Sequence, residues 1–190
     1  VELAHYFQRE QAVTSAFVGL VHRLDRFTSG VILFAKTNAA VRTLNSQFRE
    51  RLTKKTYLAL VHGRIEPVGT AVDWLRKIEN VAKAELCTSD AEGARQAILE
   101  WTLVRSDPSH SLVRIELQTG RMHQIRLQLA SRGYPIVGDT LYDAPPSKIF
   151  GLHASELTIR HPKSYKQMTF KAPLPSAWLH EFPALAAEVP

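Results

Sequence analysis

The chain has 190 residues, of which 45% are hydrophobic and 22% charged, with a formal charge of +6. That balance excludes wholesale disorder and suits one domain able to bury a core without staples. A lone cysteine, Cys87, excludes an internal disulfide and a multi-cysteine zinc site, and fits a reducing, cytoplasmic compartment.

In chain order, the sequence opens on Val1 rather than Met, as a piece of a longer protein would, and shows no signal peptide. No apolar run approaches the roughly 18 residues of a membrane span. Ser29-Gly30 precedes Val31-Ile32-Leu33-Phe34-Ala35, which reads as a buried strand. Thr37 or Asn38 then caps a helix in which Val41, Leu44, Phe48 and Leu52 recur at helical spacing. Tyr57 to Val61 is a second apolar strand, stopped near Gly63. Residues 66–95, punctuated by Pro67, Gly69 and Gly93, read as loops and short strands. Ile98 to Val104 and Leu112 to Gln118 form a hairpin across the turn Asp107-Pro108-Ser109. Thr119-Gly120 leads into a helix from about Met122 to Arg132, closed by Gly133. Leu152 to Ile159 and Gln167 to Lys171 read as a last strand pair, and Ser176 caps a short helix ending before Pro183. Hairpins with few crossover helices predict an α+β fold: a mixed, mainly antiparallel sheet flanked by a few helices.

Three segments concentrate chemistry. In His22-Arg23-Leu24-Asp25-Arg26 a carboxylate lies between two arginines beside a histidine. Cations there favour an anionic Asp25, fit to act as nucleophile or base; a local ion pair bracing a turn is the structural alternative. In Gly120-Arg121-Met122-His123-Gln124-Ile125-Arg126 donors gather at a helix start, as an anion site requires, and Arg126 can reach Asp25 if the segments meet. The alternative is an ordinary amphipathic helix. Tyr57 follows Lys54 and Lys55, so a base can stack on its ring while the cations hold the backbone; a core tyrosine is the alternative. Residues 1–65 hold ten Lys/Arg and four Asp/Glu, while the rest holds fourteen of each. The whole basic excess therefore lies in the first third, which suits a polyanion such as nucleic acid or, equally, a solvated face. His22, His123, His153 and His161 show no metal-ligand spacing, and no P-loop, His-Glu-x-x-His or Gly-x-Ser-x-Gly pattern occurs.

Together the motifs resemble the RluA-type family of RNA pseudouridine synthases over roughly residues 20–175. The resemblance rests on His22-Arg23-Leu24-Asp25 with Thr28-Ser29-Gly30, on Lys55-x-Tyr57-x-Ala59, and on Gly120-Arg121-x-His123-Gln124-Ile125-Arg126. It continues through Pro135-Ile136-Val137-Gly138-Asp139 with Tyr142, Leu152-His153-Ala154 and His161-Pro162. It implies the pseudouridine synthase catalytic fold and a cofactor-free isomerisation of uridine in structured rRNA or tRNA; no metal, a cytoplasmic place and a monomer are expected beside it. It implies Asp25 as the essential aspartate, either attacking the anomeric carbon or removing the ribose 2′ proton. Tyr57 is then the stacking tyrosine linked to deprotonation at carbon five, and Arg126 the basic partner of the aspartate. Arg23 is associated with the flipped nucleotide and Ile125 lines its pocket; His22, Arg121, His123, Lys54 and Lys55 complete the substrate-binding set. Flipping the uridine costs a few kcal/mol, which stacking on Tyr57 at about 1–3 kcal/mol offsets in part.

The sequence departs from the family in places. Family members carry a Lys-Pro pair near a glycine before the aspartate motif, and none of the residues before His22 fits it. Residues 1–190 are therefore expected to form a single catalytic domain that lacks this upstream segment and an S4-like domain. Met122 and Gln128 stand where a small polar residue and a histidine are frequent. A catalytically inactive RNA-binding module of the same fold is the alternative; nucleoside hydrolysis ranks last for want of a second carboxylate motif.

Overall fold

A computed structural model describes residues 17–187. Its elements run β1 (Gly19–Leu20), β2 (Ser29–Gly30), β3 (Phe34–Ala35), α1 (Asn38–Arg49), β4 (Lys54–His62), β5 (Val68–Lys77), β6 (Ala84–Cys87) and β7 (Arg95–Ser106). There follow β8 (His110–Leu117), α2 (Gln124–Ala130), a 3-10 turn (Thr140–Tyr142), β9 (Leu152–Arg160), β10 (Gln167–Lys171), α3 (Ser176–Glu181) and α4 (Pro183–Ala186). One eight-stranded sheet has the order β10-β9-β4-β8-β7-β5-β6, with β2 attached to β9 off that path. Its pairs are antiparallel except β2 with β9, and β1 and β3 form a separate antiparallel ribbon. This is the α+β, mainly antiparallel architecture expected.

Strand alternation on β4 divides the core into two layers. Ala59 and Val61, with Tyr57 beside them, meet Ile125 and Leu129 of α2 on one face. Leu58 and Leu60 meet Trp178 of α3 and Leu185 of α4 on the other. Leu129 is fully buried, so truncating it to alanine would cost about 2–5 kcal/mol and loosen the helix that carries Arg126. Helix α1 is capped by Thr37, whose hydroxyl accepts from Ala40 N at 3.2 Å. Its Leu44, Val41 and Phe48 pack on Leu157 and Ile159 of β9. Leu52 falls beyond the helix and is 53% exposed, so the expected apolar stripe stops one turn earlier.

Other sequence expectations need correction too; Ser176 is the first residue of α3 rather than its cap, the cap position falling to Pro175 with no side-chain bond. Val31–Ala35 is not one strand, because its backbone donors are taken by different partners. Val31 N donates to Ala154 O at 2.9 Å, while Leu33 N donates to His22 Nε2 at 2.8 Å. Residues 66–95 contain the ten-residue strand β5 rather than only short pieces. Gly69 does not break it: a Cβ there would lie 2.0 Å from Trp101 Cζ2, so the glycine makes room for the indole. Helix α2 begins at Gln124, not near Met122, because His123 adopts a left-handed conformation at φ 51°. The hairpin β7–β8 and the strand pair β9–β10 stand where expected, with Asp107 Oδ1 accepting from Ser109 N and His110 N at 2.7 Å in the hairpin turn.

Candidate active site

Asp25 sits on a turn closed by Thr28 N donating to Asp25 O at 3.0 Å. The turn delivers the chain into β2, where Gly30 has φ +113° and a Cβ would lie 2.2 Å from Ala154 O. Only glycine lets the two backbones approach this closely. Ser29 and His153 lock the junction. His153 Nε2 lies 3.2 Å from the acceptor Ala172 O and carries the proton, so Nδ1 accepts from the Ser29 hydroxyl at 2.8 Å. His22 is fixed similarly: its Nε2 accepts from Leu33 N and its ring stacks on Phe48 at 5.0 Å. Burial first, then the Lys55 charge, holds His22 below the usual histidine range, which suits that acceptor role.

Arg126 rises from α2 behind Asp25, its side chain only 7% exposed. Its Nη1 lies 3.6 Å from Asp25 Oδ2, an ion-pair contact rather than a hydrogen bond. The strong bonds go elsewhere: Nε and Nη2 each donate to the Asp139 carboxylate at 2.7 Å, in a fork on an acid 1% exposed. The rings of Tyr142 and Phe150 stand 5.1 and 5.4 Å from the guanidinium carbon. Burial opposes the charge of Arg126, but Asp139 and then Asp25 outweigh it and hold the group above its ordinary value. Sequence reasoning gave Asp139 no role. A signal existed, since an arginine among Ile125, Leu127 and Leu129 must be buried and therefore paired, and a partly exposed Asp25 does not meet that need alone.

Asp25 and Tyr57 open onto one cleft of about 560 Å³. His22, Arg23, Lys55, Arg121, His123 and Ile125 also line it. Burial, with the Asp25 charge adding to it, pushes the Tyr57 hydroxyl up to about 12. Lys55 and Arg121 are both held below their ordinary values, by burial first. The next contributions to Lys55 come from Arg121 and Arg51, and those to Arg121 from Arg51 and Arg95. This crowding of cations makes the wall a place for an anion, since a phosphate there would relieve their repulsion. His123 is lowered by burial and then Arg126, against the opposing pull of Asp25 and Asp139; its Nδ1 lies 3.0 Å from the Tyr142 hydroxyl. Gln124, read from sequence among the donors of an anion site, instead pins the loop before α2: its Oε1 accepts from the Thr119 hydroxyl at 2.7 Å and Arg121 N at 3.0 Å, and its Nε2 donates to Ile98 O at 3.0 Å.

Lys54 is the exception among the expected binding residues. It does not line the cleft, because alternation along β4 turns it away from Lys55 and Tyr57. It lies 3.1 Å from Glu116 in a charged surface that continues through Arg114, Glu156 and Lys171. Among the described residues no group of three or more His, Cys, Asp or Glu side chains could hold a metal, and no helix is long and apolar enough to cross a membrane.

A family pattern described as RNA pseudouridylate synthase matches residues 2–131. The dual-specificity RNA pseudouridine synthase RluA of Haemophilus influenzae is 40% identical over 162 residues, covering 80% of this chain and 71% of that protein. Its Escherichia coli counterpart is 41% identical over 161 residues, covering 80% and 72%. An uncharacterized RNA pseudouridine synthase of Chloroflexus aurantiacus is 39% identical over 162 residues; the match covers 83% of this chain but half of that protein. Among solved structures, human RNA pseudouridylate synthase domain containing 1 superposes with a TM-score of 0.72 at 26% identity, over 84% of this chain and 70% of its own. Human RNA pseudouridylate synthase domain containing 4 shares the fold, with a TM-score of 0.82 at 23% identity over all of this chain and 82% of its own.

Proposed function

The chain belongs to the RluA-type family of RNA pseudouridine synthases, which are isomerases, and from that premise we propose that it converts uridine to pseudouridine in structured rRNA or tRNA through Asp25, Tyr57 and Arg126. The observation that carries this reading is the 3.6 Å approach of a buried guanidinium to Asp25, the one carboxylate among the described residues that line the cleft, which the partly buried Tyr57 also lines.

The target uridine leaves its stack and enters the cleft, where the ring of Tyr57 and the side chain of Ile125 receive it. Arg23, Lys55 and Arg121 bind the flanking phosphates, with His22 and His123 completing the walls. Asp25 acts on the sugar, either by attack on C1′ or by removal of the 2′ proton, as the bond from C1′ to N1 of uracil breaks. Positive character on the sugar is stabilised by that carboxylate. The base rotates and C5 bonds to C1′, which displaces the Asp25 carboxylate from C1′ on the first route or is accompanied by return of the 2′ proton from Asp25 to C2′ on the second; C5 then loses its proton and N1 gains one, so atoms balance without a co-reactant. Arg126, anchored by Asp139, orients Asp25 and keeps its charge paired. Because the Tyr57 hydroxyl is pushed up to about 12, roughly one part in 10⁵ is phenolate at neutral pH. That favours the ring face and the intact hydroxyl over a standing phenolate base.

The three proposed catalytic groups meet within a single chain and need no residue from a second copy, so the proposed working unit is a monomer, acting in the cytoplasm. The test is incubation of the purified protein with unmodified tRNA and rRNA transcripts tritiated at C5 of uridine. Tritium release with pseudouridine in the digested RNA is expected. Binding without pseudouridine, or release of free uracil, would overturn the reading.

A further inference from the structure

The turn that carries Asp25 also presents an aromatic ring to solvent. Phe27 is the third residue of the turn closed between Asp25 and Thr28, and it is 62% exposed. A single exposed phenylalanine is unremarkable by itself; the neighbours of this one set it apart. Arg26 places its guanidinium carbon 5.3 Å from the ring centroid. The Phe150 ring lies 5.9 Å away at 47°. Phe150 in turn stands 5.4 Å from the Arg126 guanidinium, which reaches Asp25 at 3.6 Å. A contiguous path thus runs from Phe27 through Phe150 and Arg126 to the carboxylate, and the turn places the exposed ring between Asp25 and Thr28, which line the cleft, while Phe27 itself lies outside that lining. Arg23 and Arg26, both exposed, put two positive charges on the same short segment.

We propose that Phe27 is a stacking platform for the base adjacent to the target uridine, with Arg26 holding the phosphate beside it. The inference rests on the reading of this cleft as an RNA site. A uridine that leaves its stack strips one face from its neighbour, and an aromatic ring offered at that place replaces the lost partner. Any base has a face to offer, so the platform contributes affinity without choosing sequence. The paired arginines suit a polyanion rather than an apolar protein partner.

The experiment compares wild type with Phe27→Ala, Phe27→Leu and Phe27→Trp on tRNA and rRNA stem-loop transcripts tritiated at C5 of uridine. The exposure of Phe27 means that these variants keep the wild-type melting temperature. KM is expected to rise about tenfold in the Ala and Leu variants with kcat little changed, and to stay near wild type with Trp. A Leu variant equal to wild type reduces the ring to packing against Phe150, and an Ala variant equal to wild type removes any role; either overturns the proposal. If wild type binds the transcripts without releasing tritium, the enzymatic reading fails separately. Fluorescence-polarisation affinities of the same four proteins for a fluorescein-labelled tRNA transcript then decide Phe27: equal affinities overturn the platform, and a tenfold loss confined to Ala and Leu supports it.

Discussion

Replacing Asp139 by asparagine tests how the site is braced. Asp139 and Arg126 have side chains 1% and 7% exposed and share two bonds of 2.7 Å. Removing one charge of a buried pair costs about 3–5 kcal/mol, because the other charge is left without its counterion. An asparagine oxygen still accepts one of the two bonds and Asp25 stays as a weaker counterion at 3.6 Å, which puts Asp139→Asn near the lower end, about 3 kcal/mol. For a chain of this size that lowers the melting temperature by roughly 6–12 °C. The kinetic effect is separate. Arg126, freed from its anchor, closes on Asp25 from 3.6 Å and turns the carboxylate away from the sugar. A misplacement of about 1 Å costs on the order of 100-fold in rate. Thermal unfolding gives the first number and tritium release the second. The double variant Asp139→Asn with Arg126→Gln removes the stranded charge, so it recovers most of the stability and none of the activity. A single variant that melts within about 2 °C of wild type, or that turns over at the wild-type rate, would refute the bracing argument.

Other measurements probe the walls and the titrating groups. Lys55→Met should weaken RNA binding and reduce the salt dependence of log Kd by about one contact, while Lys54→Met, off the cleft and paired with Glu116, should leave the slope unchanged. Because the Tyr57 hydroxyl is pushed from its ordinary value up to about 12, the folded state binds its proton more tightly than the unfolded chain. Its stabilisation is complete below pH 10 and is lost as pH rises toward 12, about 2–3 kcal/mol in all; Tyr57→Phe should flatten alkaline unfolding across that window. His22 and His153 are lowered, chiefly by burial, so their neutral forms stabilise the fold above about pH 6.5. Stability should fall as pH drops below that value through their folded-state titrations, and denaturant unfolding of wild type and His22→Gln at pH 5 and 7.5 measures the share of His22.

Local chemistry was legible in the sequence wherever neighbouring residues carried the signal. Asp25 with its turn, Tyr57 within the apolar run of β4, and the donors preceding α2 stood out as candidates from their neighbours, and the family resemblance supplied their expected roles. The hairpin β7–β8 was legible because Asp107 begins a turn between alternating strands. What escaped depends on contacts between distant segments. Gly69 looks like a breaker until Trp101 is seen to occupy the space where its Cβ would be. Val31 to Leu33 looks like strand until its donors are found on Ala154 and His22. Asp139 looks like a loop acid until Gly138, at φ +79°, swings the chain so that the carboxylate meets Arg126. Lys54 and Lys55 are equivalent as composition, yet the pleat of β4 sends one to Glu116 and the other into the cleft.

The central claim is that the Asp25 carboxylate performs the chemistry rather than bracing a turn. Asp25→Asn keeps the size of the side chain and leaves the turn bond between Thr28 N and Asp25 O intact. The measurement is single-turnover tritium release from C5-labelled RNA, alongside the affinity of the same protein for the same RNA. The account predicts no detectable release with affinity within a few-fold of wild type; release at the wild-type rate would contradict it.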